Sequence, residues 1–180
     1  MLDLNRVNDE IFVVKDSIIS LGDDAVSFLK SRASNSPLRR ARICAHRSTE
    51  DALHEMLIAI SSKSYIHPHK HLSKSESFHI IEGEVDVIIF DEVGDVTNIV
   101  KLGAPGSGRN YFYRLSEARF HTLIVHSEML VMHEVTNGPF DKTQTILAAF
   151  APHERDEKAA QDYKENLLNE VAKLEPSNFK

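Results

Sequence analysis

The sequence predicts an all-β core, an antiparallel double-sheet jelly roll, with a helix towards each end of the chain. Three observations point there. About ten short runs of branched and aromatic residues are separated by turn chemistry; charged, helix-forming segments lie only outside them; and histidines on distant runs alternate so as to share one face. With 180 residues, 42% of them hydrophobic, the chain is long enough for one domain with a proper core. Within that domain, residues 1–36 are expected to form an N-terminal strand and helix packed on the barrel, 37–152 the barrel, and 153–180 a C-terminal helix and tail.

Residues 10–14 are a short β-type run, read as an edge strand. Asp23 and Asp24, apolar positions at Val26 and Phe28 or Leu29, and basic Lys30 and Arg32 are helix signals, with an end expected near Ala33. Residues 38–44 alternate Ala41 and Ile43 with Arg40 and Arg42, which puts the two arginines on one polar strand face. Residues 52–61 and 65–67 are read as the next strands, and His54 and Glu55, pointing to opposite faces, as structural. After Gly83 come 85–90 and 96–102, joined by a hairpin over 91–95 with Gly94 at its turn. The glycine-rich stretch 103–108 reads as a loop over the barrel mouth. Tyr111 and Tyr113 share a face, and 129–135 is a strand with His133 on one face and Glu134 on the other. Residues 145–152 are the last strand. Tyr163, Leu167, Val171 and Leu174 then recur at helical spacing, in a helix expected to run from Glu154 to near Pro176.

Chemistry concentrates in residues 65–83. His69 and His71, two apart, leave one face of a strand together, and four polar residues later the chain reaches Glu76. Imidazoles and a carboxylate suit one borderline divalent ion per chain, manganese, iron, nickel or zinc. His121, on a separate predicted strand, is the candidate fourth ligand. His67, of the same parity as His69, and His133 are held in reserve, whereas His79 is expected to face away.

His-x-His, four residues, Glu, six residues, Gly, with a later histidine, resembles the metal motif of the cupin superfamily, here on His69, His71, Glu76, Gly83 and His121. The Pro-x-Gly and Asn of the second cupin motif are replaced by Ser116-Glu117-Ala118 and Val125. More of the chain, including residues 36–44, 54–60, 74–79 and 133–140, is similar to the WbuC family of cupin-fold metalloproteins. That resemblance implies an RmlC-like barrel, a bound metal and an association with surface-polysaccharide (O-antigen) loci.

The expected activity is therefore metal-assisted isomerisation or epimerisation of a small oxygen-rich molecule, a sugar or nucleotide-sugar. Tyr113 or Glu134 is the general acid or base, and Arg40, Arg42 and Tyr111 are substrate contacts. The alternatives are a metal-containing binding or sensing module without turnover, an iron-dependent oxygenase, and a metal-independent sugar epimerase. The intact His-x-His and Glu set counts against the last. The formal charge of −6 and the lack of tryptophan argue against a nucleic-acid surface. No apolar run is long enough for a membrane span. A single cysteine, Cys44, read as a small buried strand residue, excludes an internal disulfide. A cytoplasmic homodimer is expected.

Overall fold

The computed structural model describes residues 3–174. In chain order the elements are β1 (Leu4–Arg6), β2 (Ile11–Val14), α1 (Asp23–Asn35), β3 (Arg40–Cys44), β4 (Leu53–Ser61), β5 (His69–His71), β6 (Glu76–Glu82) and β7 (Glu84–Phe90). There follow β8 (Val96–Gly103), β9 (Phe112–Leu115), β10 (Phe120–Val125), β11 (Met129–Asn137), β12 (Thr145–Leu147) and α2 (Glu157–Leu174). The strands curl into two facing sheets, seven in the order β1-β2-β3-β4-β11-β6-β9 and five in the order β12-β5-β10-β7-β8. This is the jelly roll the strand pattern predicts. Its strand pairs are antiparallel except β2 with β3, which run parallel because α1 carries the chain back between them.

Alternation decides which side chains fill the lumen. In β7, Val85, Val87 and Ile89 point inwards, while Ile88 and Phe90 face outwards beneath α2. Both faces are covered, so the run is apolar on both faces apart from Glu84 and Asp86. Each helix closes the outer face of one sheet. Ala25, Leu29 and Ala33, four residues apart, press α1 onto Ile43, Leu57 and Val131. Leu167 and Val171 press α2 onto Ile88, Phe90, Phe120 and Ile124. Burying a side chain such as Leu29 or Leu167 contributes about 1.5–3 kcal/mol. Lys164, buried on the same stripe of α2, donates to the carbonyls of Ser62 and, at 2.8 Å, Ser64. Among the described residues no helix is long and apolar enough to cross a membrane.

Several boundaries differ from expectation. Residues 10–14 are not an edge, because β1 pairs outside β2. Helix α1 runs to Asn35, and α2 begins at Glu157; its expected end near Pro176 lies outside the described residues. Residues 65–67 form no strand; the Ile66 carbonyl accepts from the Thr122 hydroxyl instead. The last strand stops at Leu147. The glycine-rich loop 103–108 is at the other end of the barrel from His121. Gly103 pairs with Glu84, whereas His121 pairs with Ile89, about 17 Å further along β7.

Gly83 joins β6 to β7 with φ 88°, and a Cβ there would strike the Ser127 hydroxyl and the Met129 carbonyl. Gly83→Ala is therefore expected to lower stability by about 1–2 kcal/mol, read as a lower urea midpoint at unchanged slope.

Candidate metal centre

The fold brings His69, His71, Glu76 and His121 together from both sheets. His69 on β5 is the direct cross-strand partner of His121 on β10, in the five-stranded sheet. Glu76 opens β6 in the seven-stranded sheet, opposite Thr136 of β11. Residues 72–75 thus carry the chain across the lumen from sheet to sheet, a step rather than the local reversal the spacing invites. One nitrogen from each of the three imidazoles lies within 4.8 Å of the others, so these histidines could hold a metal ion. Glu76 Oε1 is 2.8 Å from His121 Nε2, and Oε2 is 3.5 Å from His71 Nε2.

The far side of each ring is tethered. His69 Nδ1 is 2.9 Å from the His67 carbonyl and His121 Nδ1 is 3.0 Å from the Arg119 carbonyl. A carbonyl only accepts, so those nitrogens carry the hydrogen and Nε2 is turned to the cluster. His71 Nδ1 lies 3.1 Å from the Thr145 hydroxyl. Burial, followed by the neighbouring His121, pushes the His69 imidazole down to about 3, so it is neutral near pH 7. Burial alone would raise Glu76, but His121, His71 and His69 outweigh it and hold the carboxyl well below the usual carboxylate range. His121 moves the opposite way: the Glu76 carboxylate overcomes burial and raises it. Despite its short approach to His121, Glu76 Oε1 is buried without a hydrogen bond. An orphaned carboxylate oxygen among inward-turned imidazoles fits a cation site.

Beside the cluster the lumen opens into a cavity of about 810 Å³. Arg40, Arg42 and Glu134 all line it, so β3 and β11 present those residues inwards. Arg40 is already committed, 2.9 Å from Glu154. Burial, and then the Glu76 charge, push the Glu134 carboxyl up to about 7; Arg42 and the histidines only partly offset them. What Glu134 leaves accessible faces the cavity. Tyr113 is 7% exposed, packs on Phe78 with ring centroids 5.3 Å apart, and its hydroxyl has no hydrogen-bond partner.

Three expectations are corrected. His133 is no reserve ligand: it points out of the barrel, 3.7 Å from Glu55 and stacked near His79. Tyr111 precedes β9, is 55% exposed and is not among the described cavity-lining residues. His67, the other reserve ligand, lies outside the histidine cluster, 8% exposed and with its Nε2 3.0 Å from the Ala148 carbonyl. His54, read as structural, lines the cavity, stacked on His46 with ring centroids 4.0 Å apart and its Nε2 without a partner. Its parity with Met56 and Ile58 is the signal that locates it.

Residues 21–102 match a family described as a domain of unknown function, DUF6016. No curated protein matches the chain. Among solved structures, an uncharacterized conserved protein with a double-stranded β-helix domain from Klebsiella pneumoniae is 16% identical. The match has a TM-score of 0.51 and covers 74% of this chain and 98% of that one. Oxalate oxidase in complex with glycolate is 12% identical, TM-score 0.47, over 63% of this chain and 57% of that one. The cupin domain of Schizosaccharomyces pombe Cnp3 is 9% identical, TM-score 0.43, over 55% and 64%. This chain thus spans less than two thirds of either of the last two. The likeness is one of fold, a double-stranded β-helix.

Proposed function

We propose that the chain is a metal-binding cupin of the WbuC type. On this proposal it acts on a small oxygen-rich molecule, a sugar or nucleotide-sugar of surface-polysaccharide synthesis, by metal-assisted isomerisation or epimerisation. The observation that carries this is Glu134, an ionisable carboxyl facing an arginine-bearing cavity within electrostatic reach of Glu76, His71 and His121. A metal sealed under apolar side chains would instead suit a purely structural or sensing role.

A divalent ion on His69, His71, Glu76 and His121 would polarise a substrate carbonyl and acidify the carbon or hydroxyl beside it. Glu134 takes the proton from that carbon and returns it to the former carbonyl carbon, while the hydroxyl proton passes to the former carbonyl oxygen, which moves the carbonyl along the sugar. Burial raises the Glu134 carboxyl, which favours its holding the proton between the two transfers. Ile58, Ile60 and Met132 line the same cavity and limit the water that competes for the proton.

Proton transfer leaves a mark in deuterated water. Metal-loaded protein incubated with free sugars and nucleotide-sugars is expected to place deuterium beside the carbonyl carbon, seen by NMR. Glu134→Gln should slow this incorporation by about 10²–10⁴-fold while the metal content stays the same. Sugar binding with no exchange would instead mark a non-catalytic module.

A further inference from the structure

We infer that the wall of the cavity formed by β3 and β4 is a carboxylate subsite, in which Arg42 takes the acid group of a uronic acid or similar small hydroxy acid. The remaining oxygens of that ligand face the histidine cluster. This orientation rests on the metal reading proposed above; the subsite itself does not.

The first ground is the state of Arg42. It is half-buried in the cavity wall, with Ile11 and Ile58 as its cross-strand neighbours. Its one side-chain hydrogen bond among the described residues goes to the Met56 sulfur at 3.9 Å, a weak acceptor. It makes no ion pair among those residues, whereas Arg40 has Glu154 and Arg109 has both Glu84 and Asp86. Glu134 lies within electrostatic reach of Arg42 but forms no ion pair with it, so this guanidinium gives up hydration with its N–H groups unmatched, and a planar anion accepting two of them removes the deficit. A neutral sugar offers no such group.

The second ground is position. The Arg42 side chain reaches diagonally to Met56, Met56 is directly opposite Glu134 on β11, and Thr136, two residues further along β11, is opposite Glu76 on β6. Arg42 is opposite Ile58 and Ile58 opposite Met132, four residues before Thr136, so the backbones of Arg42 and Glu76 are about 14 Å apart across the strands and about 13 Å apart along them. Both side chains reach inwards from there, leaving room for one small molecule, with Glu134 between them.

The third ground is charge. With Arg40 committed to Glu154, Arg42 is the guanidinium β3 leaves unpaired on a wall that also carries Glu134 and Glu76, so it matches one negative charge, and a dianionic phosphate would bring a second charge against those acids. Arg47 and Lys74, also lining the cavity, set up a field that draws anions in.

The test is calorimetric titration of the full chain, of known metal content, with D-glucuronate, D-glucose and D-glucose 1-phosphate, in the parent and in Arg42→Met. Glucuronate is expected to bind at least about tenfold more tightly than glucose, and Arg42→Met to erase that preference while metal content and urea midpoint stay as in the parent. Tighter binding of the phosphate overturns the carboxylate assignment. So does equal binding of glucose and glucuronate, failure of glucuronate to bind, or a preference that survives in Arg42→Met. Metal-replete protein without the preference removes the subsite alone. A preference dependent on Arg42 in protein that takes up no metal supports the subsite and removes the metal reading.

Discussion

Replacing His69 and His71 together with alanine is expected to reduce bound transition metal from near one per chain to below about a tenth, with the fold retained. Each lost imidazole removes a neutral donor, and the remaining pair, His121 and Glu76, is too small a set to hold a borderline ion against water. Folding should persist because both rings open into the cavity, so their loss enlarges a space that already exists. The pair left behind also keeps its own contact at 2.8 Å. Glu76→Gln and His121→Ala should each lower metal content as single changes. His133→Ala, on the outer face beside Glu55, should leave it at the parental level. Uptake should weaken as pH falls, because protons compete for the same Nε2 lone pairs. Elemental analysis of the variants beside their circular dichroism reads all of this. Full metal in the double variant, or its loss in His133→Ala, would overturn the ligand set.

What could be read from the sequence, and what could not, follows from the reach of strand periodicity. Parity within one strand puts His69 with His71 and turns His79 away from Glu76, and the structure has His79 exposed on the outer face. Parity does not say which face of a strand is the inner one when both are apolar. In β11, Leu130 and Met132 fill the lumen, while Val131 is just as deeply buried beneath α1. His133 and Glu134 could therefore be assigned to either side, and the reserve-ligand expectation took the wrong one. Nor does local pattern reveal the partner strand. His121 meets His69 across a ladder joining segments some fifty residues apart, and Glu76 crosses to the other sheet through residues that read as a simple turn. Gly103, Gly106 and Gly108 announce a loop without saying at which end of the barrel it falls.

The least legible feature was the one charge inside the apolar run of β7, and the largest stability change is expected there. Asp86 is 2% exposed, and its carboxylate accepts from Arg109 Nη1 and faces His126 Nε2, each at 2.8 Å. Arg109 also reaches Glu84 at 3.0 Å, so one buried charge ties the start of β7 to the segments before β9 and after β10. Burial alone would raise the Asp86 carboxyl, but His126 and Arg109 outweigh it and lower it. Arg109→Met combined with His126→Leu strands that charge, and the loss at pH 7 is expected to be about 3–5 kcal/mol by urea unfolding. The pH dependence should change sign. In the parent, the depressed carboxyl contributes stability that is present above its unfolded value of about 3.9 and lost as pH falls below it. In the double variant, desolvation acts unopposed and the folded carboxyl is raised, so stability should instead increase as pH falls from 7 towards that unfolded value. Adding Asp86→Leu to the double variant removes the stranded charge and should restore most of the loss and flatten the profile. A double variant within about 1 kcal/mol of the parent would mean that water, not Arg109 and His126, compensates Asp86.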